Sequence, residues 1–302
     1  MGTKGRVGSF ASDEARRRFL AAYERAMSSW PTPREERDVE TRYGTTRIYA
    51  HGTGDGTPIV LLHGQNATPA VWASNVTALA AGRCVLAVDR VGEPGRSTQT
   101  APIRTAEDTA RWFDEVLSGL GVERVHLVGF SYGGWVALNH AVHTPGKVAS
   151  VTLVEPAGAL ARFRPTFLLG VIAAVASGSH SYQRRWFGRP VGGTGEGAEA
   201  TEAMTRVSLE ALRSFRGRLP APRLLTDEEL PSVKAPVMVL LGDASRATEA
   251  SRAQARAQGL LADVRTEIVP GVGHAMPVKV LNDRVPAFLC DVEARISGGA
   301  SQ

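Results

Sequence analysis

Six short runs, PIVLLHG, CVLAVD, VHLVGF, VTLVEP, VMVLLGD and RTEIVPG, recur between Pro58 and Gly271 with longer stretches between them. Most are apolar at nearly every position rather than at alternate ones, so their extended chains would be buried on both faces. Several intervening stretches carry helix starts, such as Thr68-Pro69 before AVWASNVTALAAG and Thr105 with Asp108 before TARWFDEVLSGLG. Strands of this kind alternating with helices predict an α/β fold, a mostly parallel sheet with helices on both faces. Ligands of such sheets bind beyond the carboxyl ends of the strands.

Upstream, Ser12 is placed to cap a helix reaching about Trp30, with Phe19, Leu20, Tyr23 and Met27 at helical spacing and Pro31 ending the run. This helix is expected to pack on the body as an extension. DVETRY and TTRIYA, joined at Gly44, suit a hairpin at a sheet edge. The alternation breaks between Gly158 and Val233, where an apolar run (PTFLLGVIAAVA), a glycine-rich stretch (GRPVGGTGEG) and a polar helical run follow one another. An inserted helical cap over the strand ends is the favoured reading; a helical excursion with no gating role is the plainer one. The expected organisation is an N-terminal helical extension over 1–37, an α/β core over 38–157 and 234–302, and a helical cap over 158–233.

The 302 residues are 43% hydrophobic and 22% charged, enough apolar content for a large core. The net charge of +5 comes from 35 Lys and Arg dispersed among 30 acids, which argues against a nucleic-acid partner. Cys84 and Cys290 lack metal-ligand spacing and suit structural thiols in a reducing compartment. No signal peptide is discernible and no apolar run reaches membrane-spanning length, so a cytoplasmic protein with no membrane partner is expected.

VHLVGFSYGGW carries the clearest chemical signal. An apolar strand enters Gly129-Phe130-Ser131-Tyr132-Gly133 and a helix leaves it. Glycines flank such a serine because strand and helix pass too close for side chains, and the turn lifts the Ser131 hydroxyl to the tip of the sheet. The Tyr132 amide, at the helix start, can stabilise a developing oxyanion. His63-Gly64-Gln65, at the end of the first core strand, offers the Gln65 amide as a second donor, while Asn66 suits turn formation. His63 reads as a hydrogen-bonded structural group and Trp72 as core. His126 lies inside the strand before Ser131 and should point away from the turn. His274, in the glycine-rich loop GVGHAMP after the last strand, is the better base.

Taken in order, LLHG followed by Trp72, DRVGEPGRS, GFSYGG, a cap, LLGD and GVGH resemble the α/β-hydrolase superfamily from about Arg47 onward, and the N-terminal extension with DRVGEPGRS resembles actinomycete-type hydrolases. The resemblance implies Ser131 as nucleophile, His274 as base and Gln65 with Tyr132 as oxyanion donors, with no metal or cofactor. DRVGEPGRS is one residue longer than the family's usual D-x-x-G-x-G-x-S turn. The family's usual acid position, three residues after the glycine ending VMVLLG, holds Ser245, which cannot support an imidazolium by charge. Three carboxylates are left as candidates. Glu155, closing VTLVEP on a strand expected beside the nucleophile strand, is favoured; Asp243, adjacent to Gly242, is the alternative; Glu249 better suits a helix-start charge.

These residues point to a serine hydrolase acting on a small or medium ester, lactone or thioester, with a small-molecule acyl substrate that is free or carrier-bound. Perhydrolase or carbon–carbon bond hydrolase chemistry would use the same site, and a non-hydrolytic binding protein or cyclase would keep the fold without the acid. Phe163, Phe167, Trp186 and Phe187 suggest an apolar pocket, and Arg162, Arg164, Arg184 and Arg185 a contact for acidic groups. Oligomeric state is not legible in the sequence.

Overall fold

The computed structural model describes residues 7–176 and 198–299. Trp186, Phe187, Arg184, Arg185 and the glycine-rich stretch of the insertion lie outside the described residues. Helix α1 (Asp13–Met27) is capped by Ser12, whose side chain accepts from the Ala15 amide. It stops three residues short of Trp30, where the Ser28 and Ser29 hydroxyls bond the Arg25 and Ala26 carbonyls and compete with the helical pattern. Strands β1 (Glu35–Thr41) and β2 (Gly44–His51) form the edge hairpin.

The six apolar runs become β3 (Gly56–Leu62), β4 (Arg83–Asp89), β5 (Val125–Phe130), β6 (Val148–Val154), β7 (Val237–Gly242) and β8 (Val264–Val269). The sheet order is β8-β7-β6-β5-β3-β4-β2-β1, parallel from β8 to β4 and antiparallel from β4 through β2 to β1. Every residue of β6 and β7 is buried, whereas β8 at the edge is partly exposed along its length, which is why polar residues are tolerated in RTEIV.

The further α-helices are α2 (Ala73–Leu79), α3 (Ala106–Gly119), α4 (Tyr132–His143), α5 (Pro165–Ala176), α6 (Ala198–Ser214), α7 (Ala250–Leu260) and α8 (Val278–Gly299). Thr105 caps α3 through the Asp108 amide. The helix after Thr68 is split, with Pro69–Trp72 forming a tight 3-10 turn before α2. One core joins the sheet to α3, α4 and α7 through Trp112, Phe113, Trp135 and Ala257. The other joins it to α1, α2, α6 and α8 through Phe19, Tyr23, Val76, Val207 and Phe288.

The N-terminal segment is more than a surface addition. Phe19 and Tyr23 are fully buried, α1 packs along α6, and the short strand Ser9–Phe10 pairs with Phe215–Arg216, directly after α6. Beneath it, the Tyr23 hydroxyl donates to Asp89 at 3.1 Å, and the same carboxylate oxygen accepts the Arg96 amide at 2.6 Å. The other oxygen, Oδ1, has no hydrogen-bond partner among the described residues. The Asp89 carboxyl is pushed up to about 6, because burial outweighs these two donors.

With the folded pKa above the unfolded one, the ionisation penalty is absent where both states are protonated and complete above the folded value. Stability from this group therefore falls as pH rises from about 4 to about 6. Asp89→Asn, which keeps an acceptor oxygen, is expected to gain on the wild type across that window by on the order of 2–3 kcal/mol. Urea titrations at several pH values measure this, and a difference that stays constant with pH would contradict it.

Candidate active site

Ser131 stands between β5 and α4 with φ 53° and ψ −116°, a conformation costing about 1–3 kcal/mol for a residue with a side chain. The surroundings hold it there. Its amide donates to Val154 at 2.9 Å, and its carbonyl accepts from Gly134, Trp135 and Ala157. A Cβ on Gly129 would lie 2.3 Å from the Gly133 carbonyl oxygen, and one on Gly133 would lie 2.1 Å from that of Leu62. Both glycines are therefore dictated by the close passage of strand and helix.

Strand register brings the acid alongside. Phe130 pairs with Val154 and Val154 with Leu240, so the residues leaving β5, β6 and β7 emerge as neighbours. Glu155, the first residue after β6, has φ 49° and donates its amide to Leu240. Its side chain is 1% exposed. Oε1 accepts the Gly242 amide at 2.7 Å; Oε2 accepts the Ser245 hydroxyl at 2.5 Å and lies 3.0 Å from His274 Nδ1. The opposite ring nitrogen, Nε2, is 3.0 Å from Ser131 Oγ. A carboxylate at Nδ1 fixes the proton there and leaves Nε2 free to accept from the serine hydroxyl.

Asp243 is exposed, and its Oδ1 accepts the Gly271 amide at 2.7 Å, tying the end of β7 to the loop that carries His274. The structure thus puts Glu155, and not Asp243, on His274. Glu249 is the exposed residue just before α7, as a helix-start charge would be. Sequence reasoning missed the part played by Ser245, which is to donate to the carboxylate arriving from the neighbouring strand. The available signal was its position, a hydroxyl standing where the family's acid stands.

Tyr132 follows Ser131 as the first residue of α4, and Gln65 is an exposed residue in the turn after β3, next to Gly64. Tyr132 begins α4, so its amide has no acceptor within the helix. A Cβ on Gly64 would come within 3.3 Å of Ser131 Cβ, which shows how closely this loop approaches the serine. His63 is fully buried, with Nδ1 2.7 Å from the Gly64 carbonyl and Nε2 accepting the Arg90 amide at 3.4 Å. Burial and the Arg90 charge hold its pKa well below the usual histidine value, so it is a neutral structural group. His126 is also buried, on Ser150 at 2.7 Å and away from the turn. Trp72 is core, 2% exposed.

Two further residues beside this loop escaped sequence reasoning because charges within a turn read as solvated. Arg90 and Glu93, from DRVGEPGRS, have side chains only 1% and 5% exposed and pair at 3.4 Å. Burial raises the Glu93 pKa and lowers that of Arg90, while each partner's charge opposes the shift. Among the described residues no group of His, Cys, Asp and Glu side chains is arranged to hold a metal ion.

Comparison with known proteins agrees with this architecture. The model of the Alpha/beta hydrolase family matches residues 59–284. Carboxylesterase YbfK of Bacillus subtilis is 31% identical over 292 residues, 93% of this chain and 96% of the relative. The crystal structure of that carboxylesterase, also called CesB, superposes with a TM-score of 0.82 at 29% identity, covering 92% of this chain and 99% of the other. The crystal structure of naproxen esterase (carboxylesterase NP) from Bacillus subtilis gives a TM-score of 0.82 at 25% identity over 92% and 98% of the two chains. In sheet order, in the turn at Ser131 and in sequence, this chain belongs to the alpha/beta hydrolase family.

Proposed function

We propose that the protein is a serine carboxylesterase that cleaves a small or medium carboxylic ester through an acyl-serine intermediate. The observation that carries this reading is the unbroken chain in which the two nitrogens of His274 lie 3.0 Å from Ser131 Oγ and 3.0 Å from Glu155 Oε2. Relatives named as carboxylesterases, similar over nearly the whole chain, support the ester class. The intact acid also favours hydrolysis over a binding or cyclase role on the same fold.

In this reading His274 Nε2 takes the Ser131 proton as Oγ attacks the ester carbonyl carbon. The carbonyl electrons pass to oxygen, where the Gln65 and Tyr132 amides receive the negative charge. Collapse breaks the bond to the alkoxy oxygen, and His274 hands its proton to the departing alcohol. Water, deprotonated by the same nitrogen, then attacks the acyl-serine, and the carboxylic acid leaves as Oγ recovers the proton. Glu155 keeps the ring oriented and stabilises the imidazolium formed in both halves.

The proposed cap, residues 158–233, would supply the substrate walls. It is anchored to the core through Tyr132 Oη to the Pro220 carbonyl at 2.8 Å and Trp135 Nε1 to the Arg223 carbonyl at 3.0 Å. Phe163 and Phe167 stack at 5.6 Å on the way into α5. An open surface depression lined by Arg164, Thr166, Phe167 and Arg246 lies beside the loop bearing Ser245.

Ser131→Ala should abolish both labelling by a fluorophosphonate probe and hydrolysis of p-nitrophenyl esters; turnover persisting in that variant would overturn the reading. Glu155→Gln should lower kcat by about 10²- to 10⁴-fold, with the protein still folded, whereas Asp243→Asn should stay within about threefold of wild type. The reverse ranking would move the acid to Asp243. Ser245→Ala, which removes one of the donors to Glu155, should fall between the two at about tenfold, a size set by one hydrogen bond to a charged group. A Ser245→Ala loss as large as that of Glu155→Gln would mean that the hydroxyl is more than a support.

A further inference from the structure

The Arg90–Glu93 pair stands beneath the loop that presents Gln65, and its cost is hard to explain by stability alone. Buried ion pairs are often no more stabilising than apolar residues of similar volume, because desolvation cancels the attraction. Arg90 Nε and Nη1 have no hydrogen-bond acceptor among the described residues, which adds to that cost. The groups the pair does contact are telling. Arg90 Nη2 donates to the Gly64 carbonyl at 3.3 Å, and Glu93 Oε2 accepts the Asn66 amide at 2.9 Å.

These contacts fall on the two peptide groups that meet at the Cα of Gln65. The Gly64 carbonyl and the Gln65 N–H belong to one planar trans unit and point in opposite directions. Holding the carbonyl toward Arg90 and His63 therefore turns the Gln65 N–H the other way. The next unit is fixed by its own N–H on Glu93, with Asn66 at φ 55°. The guanidinium carbon of Arg90 also lies 4.4 Å from the centroid of the Tyr132 ring, a cation–π contact with the residue that supplies the second amide. DRVGEPGRS is one residue longer than the family's usual turn, and Glu93 lies in the lengthened part.

We propose that Arg90 and Glu93 are positioning residues for the oxyanion-binding amides, fixing the Gln65 N–H through both flanking peptides and bracing Tyr132 through its ring. This rests on the serine-esterase reading above. Neither side chain touches the reacting atoms; the pair acts on kcat by keeping the donors where charge develops. Losing one well-placed oxyanion donor costs about 10²- to 10³-fold in kcat, and displacing one costs less.

The test uses the full chain with wild type, Glu93→Gln and the double variant Arg90→Met/Glu93→Leu, assayed for p-nitrophenyl acetate turnover and for inhibition by a trifluoromethyl ketone whose hemiketal oxygen needs the same amides. The double variant should be as resistant to urea as wild type, since an apolar pair replaces a buried ionic one. Its kcat should nevertheless fall about 10- to 100-fold, its KM should stay within about threefold, and its inhibition constant should rise in step with the loss in kcat. Glu93→Gln keeps the shape and an acceptor for Asn66 and should show a smaller loss in the same two readouts. It serves as the deciding variant if the double one does not fold. Either variant folded with wild-type kcat and inhibitor affinity would overturn the proposal. Turnover by Ser131→Ala would instead overturn the esterase reading, a separate outcome in the same assay.

Discussion

A carboxylate buried at the end of β6 organises this site. Glu155 is almost wholly removed from water, and an ionised carboxyl there is costly unless its oxygens are met by donors. The Gly242 amide, the Ser245 hydroxyl and the His274 ring meet them. Each donor comes from a segment that the sheet order makes adjacent, two from the end of β7 and one from the loop after β8. The need to satisfy Glu155 thus fixes the ends of β6 and β7 and the histidine loop together, and Ser131 completes the chain from β5. With this carboxylate at the end of β6, Ser245, at the position where the family usually has its acid, is a donor to the charge.

A second layer connects the far side of the serine to the N-terminal extension. Asp89 at the end of β4 accepts from Tyr23 of α1, and the next residue is Arg90, which reaches the Gly64 carbonyl beside the serine. The helix upstream of the α/β core, the lengthened turn after β4 and the loop after β3 are therefore one packed unit. The extension also pairs with Phe215–Arg216, directly after α6, so the same segment touches both the turn after β4 and the chain leaving α6.

How much of this could be read from sequence depended on whether the deciding force is local. Strands β3 to β7 were legible because burial on both faces leaves continuous apolar runs; β8 was legible by position, although its edge exposure blurred the pattern. Ser131 was legible because the steric demand on Gly129 and Gly133 leaves a mark in sequence. The carboxylate facing His274 could be narrowed only to Glu155 ahead of Asp243, since both close a strand and sequence does not record which way a carboxylate points. Ser245, Arg90 and Glu93 were opaque for one reason: a hydroxyl or charge inside a turn looks solvated until the fold brings a partner from 20 or more residues away, as Asn66 meets Glu93. The split of the helix after Thr68 and the early end of α1 were set by side-chain competition for backbone groups that periodicity does not reveal.

The central claim, that Glu155 holds the proton on His274 Nδ1, is tested most directly by NMR of protein carrying isotope-labelled histidine. A hydrogen-bonded Nδ1 proton should give a strongly downfield resonance coupled to His274, present in wild type and in Asp243→Asn and lost in Glu155→Gln. A resonance that survives in Glu155→Gln and vanishes in Asp243→Asn would contradict the account.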